Sequence, residues 1–388
     1  MGKVLVELDE SIEVELLPLL DEENLLEAIN ELENDDAAYL LGEIAPDVRG
    51  RVLNRLNKDK SAEIRKVLAY PNDTAGSLMQ SISISLGEKQ SARDVLQKLR
   101  RYGPLSSNIT TLYVVNNRNI LQGEISIHDL LSLAAEESIS EIIKSDLVSI
   151  KAQTDQEEVG MLFRKYDLIS APVVDQNAKL IGRITVDDVI EVVEEEVEED
   201  MLRLGGIESG EDLFGSALKI SLRRSVWLGF NLVTAFLSSF VIQQFDATIS
   251  EVIALAVLMP IVASMGGNVG SQTLTAVVRA LALGQINPQN SFKLLYKQAT
   301  VGLISGVLWA SVVAIIVYLW FGNPILGGVI FSAMIINLLS AGLLGAFIPI
   351  TLEKLKIDPA LAAGVILTAS TDIIGFLSFL GLATLYLT

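Results

Sequence analysis

The stretch MPIVASMGGNVGSQT, from Met259 to Thr273, decides the class of this protein. It lies in an uncharged segment, Val252 to Val278, that is long enough to cross a bilayer as a helix. The stretch nevertheless contains a proline, three glycines and the amides Asn268 and Gln272. Polar groups inside a membrane must be satisfied by neighbouring helices or by water. Close helix packing explains the glycines, whereas Asn268 and Gln272 are better explained as residues that line a polar pathway.

Further uncharged segments surround this one. They are Ser225–Phe245, Gln298–Leu352 and Pro359–Thr388, the last interrupted only by Asp372. The segment Gln298–Leu352 is too long for one crossing, and Gly322 and Pro324 break it in two. At about 20 residues for each crossing, residues 225–388 are predicted to form an all-α domain of five transmembrane helices.

The basic residues predict the orientation of these helices. With a cytoplasmic N-terminus, every Lys and Arg flanking a helix lies on the inner side, as the positive-inside rule requires. These residues are Arg223, Arg224, Arg279, Lys293, Lys297, Lys354 and Lys356. The start, MGKVLVELDE, lacks the pattern of a signal peptide. We therefore expect a multi-pass protein of the cell (plasma, or bacterial inner) membrane, with a cytoplasmic N-terminal half and the C-terminus outside.

Asp372 is the most informative single residue. It follows Pro359 by 13 residues, which places it about 20 Å along the fifth predicted helix. A charged carboxylate at that depth costs roughly 2.5–3.5 kcal/mol, so a functional role is the default interpretation. The alternative is a protonated Asp that bonds between helices. Because no Lys or Arg lies in the apolar interior to pair with it, we expect a mobile cation as its partner.

Charge and composition narrow the function further. Residues 225–388 contain five acidic and five basic residues, so the net charge of -19 lies entirely in residues 1–224. Such a field repels nucleic acid and attracts cations. The chain has no cysteine and one histidine, His128, which rules out thiolate and multi-histidine metal sites within one chain. The membrane half has no nucleophile and base constellation, so the sequence predicts transport and not an enzyme.

The acidic half divides into three parts. Residues 1–70 are predicted to form a small all-α domain with two apolar stripes: Leu25, Leu26, Ile29 and Leu32; Val48, Val52, Leu53 and Leu56. Residues 71–190 contain two α/β units, about 71–135 and 136–190, because LYVVNNRNILQGEISIHDLL aligns with APVVDQNAKLIGRITVDDVI at a constant offset of 59. Residues 191–224 are predicted to be an acidic linker helix, with seven acids between Glu191 and Asp200. These acids are either a solvated face or a cation-binding surface beside the membrane.

Several motifs together resemble the MgtE family of magnesium channels and transporters. They are YPNDTAGSLM, GRITVDDV at the end of a pair of CBS-like units, the acidic linker, MPIVASMGGNVGSQTLTAVVRALA and IDPALAAGVILTASTDIIGF. The resemblance implies a multidomain membrane protein with a helical N domain, tandem CBS domains and five membrane helices. It also implies a homodimer whose second and fifth helices form the pore, so that two Asp372 carboxylates face one Mg²⁺ ion.

The resemblance assigns metal-binding residues as well. Besides Asp372 in the pore, they are Asp358 at the inner mouth, Asp155, Glu157, Asp167, Asp188 and Glu191 around the second CBS unit, and Glu196, Glu199 and Asp200 on the linker. Mg²⁺ would then be both substrate and regulator, and its binding to these acids would close the pore. The N domain is shorter than is typical, so no site residue is carried over there.

Two other interpretations stay open. Carboxylates discriminate poorly among divalent cations, so the substrate is alternatively Co²⁺ or another divalent ion. Gly182, Thr185 and Asp188 have the spacing with which CBS units contact ribose, and Gly123, Ser126 and Asp129 repeat it. ATP would then modulate the same transporter.

Overall fold

The computed structural model describes residues 1–6, 8, 12–13, 16–82, 85–102, 110–207 and 216–387. It contains two compact units, Met1–Glu196 and Val197–Thr388. The first is built from helices and two small sheets, and the second from long apolar helices.

The first unit begins with short helices that share one apolar core. They are α1 (Gly2–Val6), α2 (Glu22–Glu31), α3 (Asn34–Glu43), α4 (Pro46–Arg55) and α5 (Lys58–Val67), with a 3₁₀ turn at Leu17–Leu19. Asp21 begins α2 by accepting a hydrogen bond from Asn24 N at 2.8 Å. Both apolar stripes expected from the sequence lie in this core, which confirms the helical N domain.

Two α/β units follow and repeat one arrangement. The first contains β1 (Ser85–Gly87), α6 (Ala92–Tyr102), β2 (Thr111–Val115), β3 (Leu121–Ser126) and α7 (Ile127–Ser132); the second contains β4 (Ile150–Lys151), α8 (Gln156–Tyr166), β5 (Ser170–Val174) and β6 (Leu180–Thr185). In each sheet the first strand is parallel to the second and the third is antiparallel. Val114 pairs with Gly123 as Val173 pairs with Gly182. The predicted repeat of 59 residues is thus confirmed in the strand register.

The two units exchange segments. Ala75 and Met79 precede β1 in the chain but lie in the core of the second α/β unit, and Gln80 pairs with Arg183. Conversely, Ile139 lies in a 3₁₀ turn (Ile139–Glu141) that follows the first α/β unit in the chain, and it belongs to the core of that first α/β unit. The expected division near residue 135 therefore separates the units along the chain and not in space.

Helix α9 (Val186–Leu204) carries the acidic stretch. It ends at Gly205 and Gly206, where Gly206 adopts a positive φ of 71° and Ile207 N bonds back to Leu202 O. The linker helix expected over 191–224 thus stops at Leu204 in the structure. Its predicted continuation at 208–215 lies outside the described residues.

The second unit contains five helices long and apolar enough to cross a membrane, as predicted. They are α10 (Ala217–Gln243), α12 (Ala254–Ala282), α13 (Ser291–Phe321), α14 (Pro324–Lys354) and α15 (Pro359–Tyr386), with the short α11 (Asp246–Glu251) after the first. Asn323 and Asp358 begin α14 and α15 as capping residues, each followed by a proline.

Small residues set the spacing between these helices. A Cβ atom added at Gly302 of α13 would lie 2.6 Å from Leu338 O of α14, and one at Gly345 of α14 would lie 2.8 Å from Gly270 O of α12. Backbones at such contacts approach closely, as is typical of membrane helix pairs. Residues from α12, α13, α14 and α15 together form the main apolar core of this unit.

Candidate cation pathway and its regulatory acids

Helix α12 presents two chemically different faces, and the first is made of small residues. A Cβ atom at Gly270 would lie 3.1 Å from Leu367 of α15, and one at Gly266 would lie 2.3 Å from Nδ2 of Asn337 on α14. Both glycines are buried. They are needed so that α12 can approach its neighbours, in agreement with the packing interpretation of the glycines.

The second face of α12 is polar and exposed. Its members recur at intervals of three or four residues and form one stripe: Ser264, Asn268, Ser271, Gln272 and Thr275. The packing interpretation therefore does not account for Asn268 and Gln272, because neither side chain is buried. A polar stripe along a membrane helix is unfavourable against lipid. This face needs water or another protein surface beside it.

Asp372 lies at the middle of α15 and is half-buried. Thr368, one turn earlier on the same side of the helix, is exposed. Within the described part of the chain, Asp372 has no hydrogen-bond or ion-pair partner. The alternative of a protonated Asp372 that bonds between helices therefore has no support inside one chain.

The end of α9 is joined to the start of α15 by an arginine. The guanidinium of Arg203 pairs with Glu199, one turn before it, and with Asp358, which also accepts a hydrogen bond from Ala360 N at 2.8 Å. Leu204 packs against the apolar residues of this membrane end. Glu199 and Asp358 were predicted as metal ligands, and the structure brings them to one cation, Arg203. Sequence analysis missed Arg203, although its spacing of four from Glu199 predicts such a pair.

The remaining predicted metal ligands are placed separately. Asp155 is exposed and caps α8 by accepting from Glu157 N at 2.9 Å. Asp167 is exposed at the end of that helix with a φ of 51°. Gln156 Nε2 donates to Glu196 at 2.7 Å.

Glu191 is exposed on α9, and Asp200 is half-buried there. Among the described residues, no three His, Cys, Asp or Glu side chains are grouped closely enough to hold a metal ion.

The three residues predicted for nucleotide contact lie at the start of α9 and in β6. A Cβ atom at Gly182 would lie 2.6 Å from Sδ of Met79, so this glycine packs closely against the exchanged segment that contains Met79. Thr185 is buried, and its hydroxyl donates to Asp188 at 2.6 Å. Gln80 Nε2 also donates to Asp188, at 3.2 Å.

Asp188 has an acidic neighbour, the buried Asp35, that sequence analysis did not identify. Asp35, on α3, is buried, and one of its carboxylate oxygens has no hydrogen-bond partner among the described residues. Burial, reinforced by the negative charges of Asp188, Asp36 and Glu33, raises the pKa of Asp35 to about 8. Burial raises the pKa of Asp188 to about 6, against the hydrogen bonds from Thr185. The first unit therefore carries two carboxyl groups that resist ionisation.

We expect the first unit to lose stability as the pH rises towards 8. Between its ordinary pKa of 3.8 and the raised value of about 8, Asp35 binds more protons in the folded than in the unfolded state, so stability is greatest at low pH and is lost across this window. The loss between pH 6 and pH 8 is about 2 kcal/mol. Proteolysis within residues 1–196 of the full-length protein, with chelator present, measures it.

The variant Asp35→Asn should flatten this dependence and resist proteolysis better at pH 8, because a neutral amide has no charge to desolvate. Glu43→Gln, which changes an exposed side chain at the other end of α3, serves as the control. An unchanged pH profile in Asp35→Asn would contradict the assignment.

Comparison with known proteins identifies the family. The family model described as a divalent cation transporter, MgtE, matches residues 259–382; the MgtE intracellular N domain matches 1–73; and CBS domains match 75–136 and 139–195. The magnesium transporter MgtE of Bacillus subtilis is 33% identical over 93% of this chain and 80% of that protein. The chain belongs to the MgtE family. The MgtE of Thermus thermophilus is 32% identical over 94% of this chain and 79% of its own length.

A solved structure is also similar to part of this chain. It is the cytosolic domain of the Mg²⁺ channel MgtE in complex with ATP, which is 34% identical and covers 49% of this chain and 78% of the other, with a TM-score of 0.46. As an MgtE family member, the chain combines a helical N domain, a CBS pair and five candidate membrane helices.

Proposed function

We propose that this protein conducts Mg²⁺ into the cell as a homodimer, through a channel lined by α12 and α15. One observation carries the proposal: a membrane helix exposes the polar stripe of Asn268 and Gln272, and the neighbouring helix holds Asp372 at its middle. The relatives named as magnesium transporters support Mg²⁺ as the cargo.

The chemistry of this path suits magnesium. Mg²⁺ is small, loses its water reluctantly and is usually held by one or two carboxylates with several waters retained. Asp372 supplies one carboxylate for each chain, and two chains supply a facing pair. The amides of Asn268 and Gln272 then contact the ion's water shell and not the ion itself. Co²⁺ is the second candidate, since carboxylates select weakly among divalent cations.

A second copy of the chain is the partner that the polar stripe favours. Lipid cannot satisfy the amides, whereas the same stripe on a twofold-related helix encloses them together with water. Five crossings from a cytoplasmic N-terminus then leave the C-terminus outside.

We propose that cytosolic Mg²⁺ closes the channel through the acids of α9 and Asp358. In this unit Arg203 already joins Glu199 to Asp358, so the linker helix and the membrane end share a cationic bridge. Mg²⁺ bound between Glu199 and Asp358 would add a stronger tie, because a divalent ion attracts each carboxylate more than a guanidinium does. Loss of Mg²⁺ leaves the acids of α9 to repel one another, which favours opening.

Nucleotide is the candidate for a second regulator. Thr185 and Asp188 lie at the turn between β6 and α9, where a ribose would reach them if Met79 moved off Gly182. Binding of ATP to the full-length protein, lost in Asp188→Ala and kept in Asp146→Ala, an exposed acid outside both copies of the ribose-contact pattern, would support this assignment.

The polar stripe is tested by making it apolar. Asn268→Leu and Gln272→Leu should each lower Mg²⁺ flux into proteoliposomes several-fold, because the path then lacks amide groups that form hydrogen bonds with the water shell of the ion. Asn231→Leu is the matched control, because the exposed side-chain amide of Asn231 on α10 bonds, within the described part of the chain, only to Trp227 O of its own helix. Normal flux in both stripe variants would reduce the stripe to a packing surface and overturn the proposed path.

A further inference from the structure

Asn337 of α14 is a polar residue in the centre of the membrane unit that the proposed path does not use. Its side chain is fully buried. It lies between two helices, because a Cβ atom at Gly266 of α12 would be 2.3 Å from its Nδ2 atom and one at Gly375 of α15 would be 2.7 Å from the same atom. The carboxamide therefore fills a slot that two glycines leave open.

Of the two polar atoms of the Asn337 carboxamide, one forms a hydrogen bond and the other has no partner among the described residues. Nδ2 donates a hydrogen bond to Val262 O of α12 at 2.9 Å. Oδ1 is buried and has no hydrogen-bond partner among the described residues. A buried polar atom without a partner destabilises a fold, and a leucine of similar size would avoid that cost. Stability alone therefore does not explain an asparagine here.

Its position relates Asn337 to both helices of the pathway. Gly266 precedes Asn268 by two residues, and Gly375 follows Asp372 by three, within one helical turn in each case. A hydrogen bond has a narrow range of length and direction, unlike an apolar contact. The bond to Val262 O thus fixes α12, which carries Asn268, against α14. Gly375 packs α15, which carries Asp372, against the same side chain, so Asn337 relates the two helices to each other.

We propose that Asn337 is a positioning residue that sets the geometry of the cation path and so its selectivity among divalent cations. The inference rests on the proposed function. A path built for a hydrated Mg²⁺ depends on the separation of its walls, because the ion is recognised through its water shell. If α12 rotates or shifts, the selection between Mg²⁺ and Co²⁺ should weaken before conduction is lost.

The test compares Asn337→Leu with Ser332→Ala in proteoliposomes of the full-length protein. Among the described residues, the Ser332 hydroxyl on the same helix bonds only to Gly328 O of its own helix, so its loss leaves α12 and α15 in place. Initial rates are measured with Mg²⁺ and Co²⁺ as separate substrates. We expect Asn337→Leu to lower the Mg²⁺ to Co²⁺ rate ratio about tenfold, the scale of one interhelical hydrogen bond, and Ser332→Ala to leave the ratio unchanged.

A pair of variants separates packing from hydrogen bonding. Gly266→Ala alone should lower the thermal stability of the inserted protein, because the added methyl overlaps the amide and Asn337 must shift. Gly266→Ala combined with Asn337→Ala removes the overlap and should insert, yet keep the lowered ratio, because the bond to Val262 O is absent. This double variant also gives the result if Asn337→Leu does not fold.

An unchanged rate ratio in Asn337→Leu or in the double variant overturns the proposal, as does failure of both to insert, which would make Asn337 a packing residue only. Absence of Mg²⁺ flux in the unmodified protein would instead overturn the proposed function.

Discussion

Replacement of Asp372 by Asn should abolish Mg²⁺ transport while the protein still inserts and purifies normally. The substitution keeps the size of the side chain and removes a charge at the middle of α15 that has no partner among the described residues. At about 4 Å and an effective dielectric constant near 20, one charge pair contributes ~4 kcal/mol. With two copies facing one ion, flux should fall by on the order of 100-fold or more.

The control is Asp246→Asn, which removes an acid of the same type at the start of α11, outside the long membrane helices. It should conduct at the rate of the unmodified protein. Normal Mg²⁺ uptake by Asp372→Asn would remove the basis of the pore assignment.

The second large effect concerns closure. The triple variant Glu196→Gln, Glu199→Gln and Asp200→Asn should stay open at cytosolic Mg²⁺ concentrations that close the unmodified protein. It removes ligands as well as repulsion, and we expect ligand loss to dominate, because a bridging ion ties specific groups together. The Mg²⁺ concentration for half-closure should rise about tenfold, a usual size for coupling between sites. Flux at graded internal Mg²⁺ measures it.

The matched control removes the same charge from the same helix. Glu194, Glu195 and Glu198 are exposed acids of α9 that are not predicted ligands. Their triple change to Gln should leave the closing concentration almost unchanged. Equal shifts in both triple variants would show that total charge and not specific ligation controls the gate.

The sequence predicted the elements more completely than their contacts. Proline and glycine at positions such as Gly322 and Pro324 interrupt a long apolar run, and the structure divides α13 from α14 there. The repeat that relates Val114 to Val173 could also be predicted, because the order of residues along each strand and turn is visible in the sequence itself. The end of α9 at Leu204, which Gly205 and Gly206 follow, differs from the linker helix predicted over 191–224.

Contacts between distant segments could not be predicted. Nothing in the sequence near Met79 indicates that it covers Gly182, and nothing near Asp35 indicates a buried carboxyl close to Asp188. For α12 the sequence supplied the residue types but not their faces. Only packing against Leu367 and Asn337 separates the glycine side from the amide side.

Ion flux in liposomes containing the purified protein shows whether Mg²⁺ passes through this path and whether Mg²⁺ itself closes it. The membrane potential is set by a K⁺ gradient, and Mg²⁺ on the side of the soluble half is held at micromolar or at millimolar concentration. We expect potential-driven Mg²⁺ flux without a co-ion gradient at the low concentration and strong inhibition at the high one. Flux no greater than in empty liposomes, or equal flux at both concentrations, would contradict it.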